Sequence, residues 1–288
     1  MKKGFTTLWI LIIPVIGICQ NEDLRKVTIK DTEVREIKSE YVKDMTYEIH
    51  VALPANYSES NDRYPVVYYL DAYYWGGIVI ETYRLLRAFN EIPPLILVGI
   101  SYNEASRAEA HFYRSRDFIP TDINEENLGN FRNSLPPASG GANKFLVFIK
   151  EELKPLINQN YRTSQEDSGI LGYSLGALFG AYVLFHDPST FDKYLLGSPD
   201  LDLDDFITLK YEEDYYLKNK GLNVTIFLSA GTQEWERIIT SWLKLKNRLA
   251  SRNYNGLNLI IKTFEGENHT SNIPGTISRG FRELYGRK

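Results

Sequence analysis

The strongest constraint on this chain is Gly172-Tyr173-Ser174-Leu175-Gly176. It lies between a short apolar run, Gly169-Ile170-Leu171, and a longer one, Ala177-Leu178-Phe179-Gly180-Ala181-Tyr182-Val183-Leu184-Phe185. A strand that passes directly into a buried helix must reverse sharply at the junction, and glycine on both sides permits the reversal because a Cβ there would meet the turning backbone. A serine at the apex has its hydroxyl held out over the end of the sheet. The helix behind it points N–H groups at the same spot, which suits the negative charge that develops on an attacked carbonyl oxygen. The five-residue pattern is weak by itself and gains weight from its strand–turn–helix setting. The competing reading is a tight turn whose serine only caps the helix.

The rest of the chain supplies the same alternation. Arg25 to Leu53 reads as extended, with Tyr47 to Leu53 alternating in polarity, and predicts antiparallel leading strands. Tyr64 to Leu70 and Leu95 to Ile100 are nearly continuous apolar strands of the kind buried on both faces. Between them the Gly76-Gly77 break leads into a helical pattern through Ile80, Tyr83, Leu86 and Phe89. Ser101 to Gly141 reads as a long irregular segment of the sort that usually serves function. An amphipathic helix follows over Asn143 to Asn160, with Phe145, Phe148, Ile149 and Leu153 on one face. Beyond the serine helix come strands at Phe191 to Leu196, Val224 to Gly231 and Leu257 to Phe264. They are separated by helices over Asp202 to Lys220 and Glu236 to Arg252, and Ile273 to Tyr285 closes the chain. The prediction is an α/β fold with a mostly parallel, doubly wound sheet and antiparallel leading strands. No repeat, low-complexity tract or linker interrupts it, so residues 20–288 read as one domain.

Lys2 and Lys3 precede an apolar run from Leu8 to Ile18, too short and wrongly flanked to span a membrane, which marks residues 1–19 as a signal peptide. Gly17 and Cys19 are small residues at the spacing for cleavage before Gln20, and the expected destination is the periplasm or the medium. A lipid anchor on Cys19 is the rival reading, against which stands the bulky Ile18. The mature chain would then hold no cysteine, so a sizeable apolar core must supply the stability that disulfides would otherwise add. The net charge of −4 becomes more negative once Lys2 and Lys3 are removed, which disfavours nucleic acid or an anionic membrane surface as a partner. No paired-histidine spacing or thiolate cluster suggests a metal, and neither glycine-rich nucleotide motif occurs. No cofactor is expected.

A nucleophilic serine needs a base, and the base needs an acid to set its tautomer and stabilise its charged form. On an α/β-hydrolase fold these follow in the order serine, acid, histidine, each on a loop after a strand. His50 lies in an early strand, His111 precedes the serine, and His186 ends the serine helix about three turns away, which leaves His269 after the last strand. For the acid, Glu234 is the choice over Glu236, which suits a helix N-terminus, and over Asp200 and Asp202, which could cap the helix after them. The oxyanion would meet the N–H of Leu175 and a second N–H from Ala72 or Tyr73. Aromatic clusters such as Tyr73-Tyr74-Trp75 could line a pocket or merely fill the core.

Several motifs together make nearly the whole mature chain resemble the putative-esterase (esterase D-like) family of α/β-hydrolases, near its bacterial trilactone siderophore esterases. They are Tyr64-Pro65-Val66 running to Leu70-Asp71, Arg114-Ser115-Arg116-Asp117-Phe118-Ile119-Pro120, Gly140-Gly141-Ala142 leading to Tyr161-Arg162, Gly172 to Gly176, Phe191 to Ser198-Pro199, Gly231-Thr232-Gln233-Glu234, and Gly266-Glu267-Asn268-His269-Thr270-Ser271. The resemblance implies Ser174 as nucleophile, His269 as base and Glu234 as acid. It also implies that the Arg114–Pro120 segment borders a substrate cleft, with Arg114 or Arg116 binding a carboxylate, catecholate or acyl oxygen. Tyr74 and Trp235 are the aromatic candidates for substrate contact. Arg116 and Asp117 could equally tie the loop down. Two departures are Ala177 and Asp200, where relatives often carry Gly and Ser. The expected activity is hydrolysis of a small-molecule or carbohydrate ester, such as a siderophore ester or a feruloyl group. A non-catalytic binding module and a peptidase or thioesterase are the alternatives.

Overall fold

Alternating polarity produces the first two strands, β1 (Thr32–Lys38) and β2 (Thr46–Ala52), in which Tyr47, Ile49 and Val51 turn inward while their neighbours face partly to solvent. β1 pairs antiparallel with β2, which pairs antiparallel with β4 (Ile96–Tyr102). The remaining strands are parallel: β3 (Tyr64–Tyr69), β5 (Thr163–Tyr173), β6 (Lys193–Gly197), β7 (Thr225–Gly231) and β8 (Asn258–Phe264). The sheet order is β1-β2-β4-β3-β5-β6-β7-β8, the mixed sheet with antiparallel leading strands expected of an α/β-hydrolase.

Helices cover both faces. They are α1 (Ala72–Ala88), α2 (Arg107–Phe118), α3 (Ala142–Phe148), α4 (Lys154–Asn160), α5 (Leu175–His186), α6 (Ile207–Lys218), α7 (Glu236–Arg252) and α8 (Asn272–Tyr285), with a π-helical stretch over Ile149–Leu153 joining α3 to α4. A Cβ on Gly180 of α5 would come within 2.5 Å of the Leu196 side chain, and one on Gly280 of α8 within 2.3 Å of Leu195. Adjacent strand residues point to opposite faces, so α5 and α8 sandwich β6 from either side. α5 is apolar all round and buried along its whole length save His186, as such a helix must be. The core spreads from it through Phe118, Phe145, Phe148 and Phe179 to Tyr47 on β2.

The computed structural model describes residues 28–102, 105–124 and 137–286, and the folded unit runs from Asp31 onward. The predicted leader over residues 1–19, with Cys19 and the cut before Gln20, lies outside the described residues. None of the described helices is long and apolar enough to cross a membrane.

Two local expectations are corrected. Gly76-Gly77 does not interrupt the chain before α1; the helix begins at Ala72, directly after Asp71, and runs through both glycines. Gly76 faces the Tyr69 hydroxyl and the His50 ring, so burial against the sheet outweighs the weak helix propensity of glycine. The segment from Ser101 onward is not irregular throughout, because α2 occupies its middle. Ser106 and Glu109 form a capping box at its start, the Ser106 hydroxyl accepting from the Glu109 N–H while the Glu109 carboxylate accepts from the Ser106 N–H.

Candidate active site

Every strand from β3 to β8 except β4 delivers one part of the site from its carboxyl end, where ligands bind in open α/β sheets. After β3 stands Asp71, after β5 Ser174, after β6 Ser198 and Asp200, after β7 Glu234, and after β8 His269.

Ser174 has φ 57° and ψ −118°, a strained conformation for a residue with a side chain, and it persists because the surroundings over-determine it. Its N–H donates to the Gly197 carbonyl at 2.9 Å, and its own carbonyl accepts from Ala177 and Leu178. The turn is so tight that a Cβ on Gly172 would lie 2.2 Å from the Gly176 carbonyl oxygen, which excludes any other residue there without a backbone shift. The N–H groups of Leu175 and Ala72 stand in the first turns of α5 and α1, where no intrahelical carbonyl reaches them, and both helix starts flank the serine turn.

His269 lies between the serine and the glutamate. Its Nε2 is 2.9 Å from Ser174 Oγ and its Nδ1 is 2.7 Å from Glu234 Oε2. A carboxylate only accepts, so Nδ1 carries the proton toward Glu234 and Nε2 is left to accept from the serine hydroxyl. The second glutamate oxygen, Oε1, accepts from the Ser198 hydroxyl at 2.5 Å, and Asn272 donates to Ser198 Oγ at 3.0 Å. Tyr173 donates to the His269 carbonyl at 2.8 Å. Burial pushes the Tyr173 phenol well above its ordinary range, so it stays protonated and keeps that bond. The Glu234 side chain is thus fully buried in a hydrogen-bonded network while His269 keeps an edge toward solvent.

Arg114 places its guanidinium against Asp71 in a bidentate pair, Nε to Oδ1 and Nη2 to Oδ2, both 2.8 Å. Burial disfavours the cation, but the fully buried Asp71 carboxylate more than offsets this and the net shift of Arg114 is upward. The same Asp71 carboxylate lies next to Gly176 at the start of α5. A cleft of about 460 Å³ opens over Ser174. Arg107, Arg114 and Arg237 bring positive charge to its wall, and Tyr74, Trp75, Tyr173 and Trp235 bring aromatic surface. Among the described residues no cluster of side chains is arranged to hold a metal ion.

Of the residues singled out from the sequence, Ser174, Leu175, His269, Arg114, Tyr74 and Trp235 line this cleft, as do His111 and Asp200, with Glu234 behind His269. Ala72 is buried at the start of α1, whereas the Tyr73 side chain is exposed. Arg116 is not part of the lining. Its Nε donates to the buried Asp117 at 2.7 Å and its guanidinium rests over Tyr113, the loop-tying alternative to substrate contact. Arg107 lies in the segment read from the sequence as functional, without a role of its own, whereas Ser198, Asn272 and Arg237 were given none. Ser198 belongs to a recognisable motif but has no local feature to announce a bond to Glu234, and an arginine at a helix start, such as Arg237, reads as solvated surface.

The sequence matches the model of the “Putative esterase” family over residues 39–251. It is 32% identical over 272 residues to the ferri-bacillibactin esterase BesA of Bacillus subtilis, covering 88% of this chain and 90% of that one. The fold is similar to that of the BES protein from Bacillus cereus, with a TM-score of 0.80 and 27% identity over 92% of this chain and 98% of the other. An IroE-like serine hydrolase from Shewanella oneidensis gives a TM-score of 0.76 at 27% identity, over 88% of this chain and 80% of that structure.

Proposed function

The chain belongs to the “Putative esterase” family and is an ester hydrolase; from that premise we propose that Ser174 is its nucleophile, His269 its general base and Glu234 the acid that orients the imidazole. The observation that carries this reading is the hydrogen-bonded line from Ser174 Oγ through His269 to Glu234, 2.9 and 2.7 Å, at the apex of a strained turn.

In this mechanism His269 Nε2 takes the hydroxyl proton as Ser174 Oγ attacks the ester carbonyl, and Glu234 stabilises the imidazolium that results. The oxyanion accepts from the N–H of Leu175 and from that of Ala72 or Tyr73. The tetrahedral adduct collapses as His269 returns the proton to the departing alkoxide, leaving the acyl group on Ser174. A water, deprotonated by the same nitrogen, then releases the acid and restores the serine. Each step conserves the proton between His269 and the reacting oxygen, so no cofactor is required.

The cleft wall carries Arg107 together with Arg114 and Arg237, the last two ion-paired to Asp71 and Asp200, and the rings of Tyr74 and Trp75, a mixture of cationic and aromatic surface that suits an ester whose acyl part is aromatic and bears anionic oxygens. A catecholate trilactone siderophore fits this description, and the name of the Bacillus subtilis relative favours it over a feruloyl or acyl group on a carbohydrate. Residues 1–19 would carry the enzyme out of the cytoplasm, to the periplasm or the medium. The test begins with hydrolysis of p-nitrophenyl acetate and butyrate by the chain from Gln20 beside Ser174→Ala. Turnover lost in the variant supports the nucleophile; unchanged turnover removes it. Competing catecholate trilactones against feruloyl sugars then decides the substrate, and a preference for the sugars would reverse the assignment.

A further inference from the structure

The indole of Trp235, an aromatic candidate for substrate contact, is engaged by the protein itself. The His269 ring stacks on it with centroids 4.6 Å apart and planes 29° from parallel, and the Arg237 guanidinium lies 4.5 Å from the same ring. These two partners hold the indole against His269 although the residue remains largely exposed. Arg237 is itself directed by Asp200, Nε to Oδ1 3.6 Å, and the Asp200 N–H reaches back to the Ser174 carbonyl at 3.3 Å. The contacts therefore close a circuit from the serine turn through Asp200, Arg237 and Trp235 to His269.

The circuit supplies what the hydrogen bonds leave open. Glu234 and Ser174 hold the two ring nitrogens of His269, and bonds at two points of a ring leave its roll about the line between them to be set by what lies against its face. Tyr173 sits on that ring at 5.3 Å and 52°, a tilted contact, so Trp235 provides the near-parallel one. Resting on the reading of His269 as the base, we infer that Trp235 is a positioning residue, held by Arg237 on Asp200, whose indole sets the tilt of the His269 imidazole so that Nε2 aims at Ser174 Oγ.

The test exploits the exposure of Trp235, 55% of its surface, which makes its replacement compatible with folding. Trp235→Ala should lower kcat on p-nitrophenyl acetate roughly tenfold, in line with the sensitivity of reactions to small misplacement, with KM little changed. Trp235→Phe should restore most of the rate because the stacking face survives, and Arg237→Met should give an intermediate loss. A raised KM with unchanged kcat in Trp235→Ala would assign the indole to substrate binding and overturn the inference, as would equal loss in the Ala and Phe variants. Proton NMR of the Nδ1–H held by Glu234 gives a readout besides activity. Its downfield resonance should be sharp in the wild type and in Trp235→Phe, and broadened or lost in Trp235→Ala. A resonance indifferent to Trp235→Ala overturns the inference whatever the kinetics. If Ser174→Ala retains full turnover, the triad reading fails, and the resonance still decides whether Trp235 positions the ring.

Discussion

At the scale of single residues, the site depends on groups that each do one geometric task. Ser198 donates its only proton to Glu234 Oε1, freeing Oε2 for His269. Ser198→Ala removes a hydrogen bond to a charged group, worth about 1.5–3 kcal/mol, and should lower kcat on p-nitrophenyl butyrate roughly tenfold or more without a matching rise in KM. Steady-state kinetics beside a thermal melt separates this from general destabilisation. Gly172 does the opposite kind of work, by having no side chain at all. Gly172→Ala drives a Cβ to 2.2 Å from the Gly176 carbonyl, so the turn must open. The expected cost is about 1–3 kcal/mol in urea unfolding, accompanied by loss of turnover; a stable and fully active variant would show that the turn yields at little cost. Gly172 and Ser174 were legible in the sequence because a five-residue pattern reports its own backbone. Ser198 was not, since its partner Glu234 is 36 residues away and only the adjacency of β6 and β7 brings them together.

At the scale of elements, α2 shows where periodicity fails as a guide. Its buried positions are Ala110, Ser115, Asp117 and Phe118, two of them polar, so no apolar stripe marks the helix. Asp117 is buried because Arg116 and the Tyr47 hydroxyl satisfy its oxygens, a tertiary arrangement that no local pattern displays. The Ser106–Glu109 capping box was the available signal. α2 is fastened to the start of α1 by the Arg114–Asp71 pair, with the Asp71 side chain fully buried and that of Arg114 only 12% exposed. Removing one partner strands a buried charge, so Asp71→Ala should cost about 3–5 kcal/mol of stability in denaturant unfolding. The double variant Asp71→Ala with Arg114→Met should recover much of that loss, because the unpaired cation is gone. A double variant no more stable than Asp71→Ala would mean that the pair contributes packing rather than charge compensation.

At the scale of the whole molecule, strand order decides the site. β5 lies at the centre of the parallel sheet, flanked by β3 and β6, so loops from both sides converge over Ser174. The amino-terminal segment is the part whose fate the folded unit does not dictate. Expression of the full chain with export should yield a mature protein whose intact mass begins at Gln20; a lipid-modified Cys19 at the new terminus would replace secretion by anchoring, and retention of Met1 would remove the leader assignment. By itself the sequence determined the order of the strands and of every helix but α2, the serine turn, and the chain order that singled out His269, because each of these is written in neighbouring residues or in succession along the chain. Only the tertiary structure decided that Glu234, and not Glu236, Asp200 or Asp202, lies 2.7 Å from the histidine, that Arg116 turns to Asp117 while Arg107 and Arg237 line the cleft, and that Trp235 stacks on His269. The reason is physical: these contacts join residues on separate strand ends, His269 and Ser174 being 95 positions apart, and their distances follow from sheet register and helix packing rather than from any local preference of the chain.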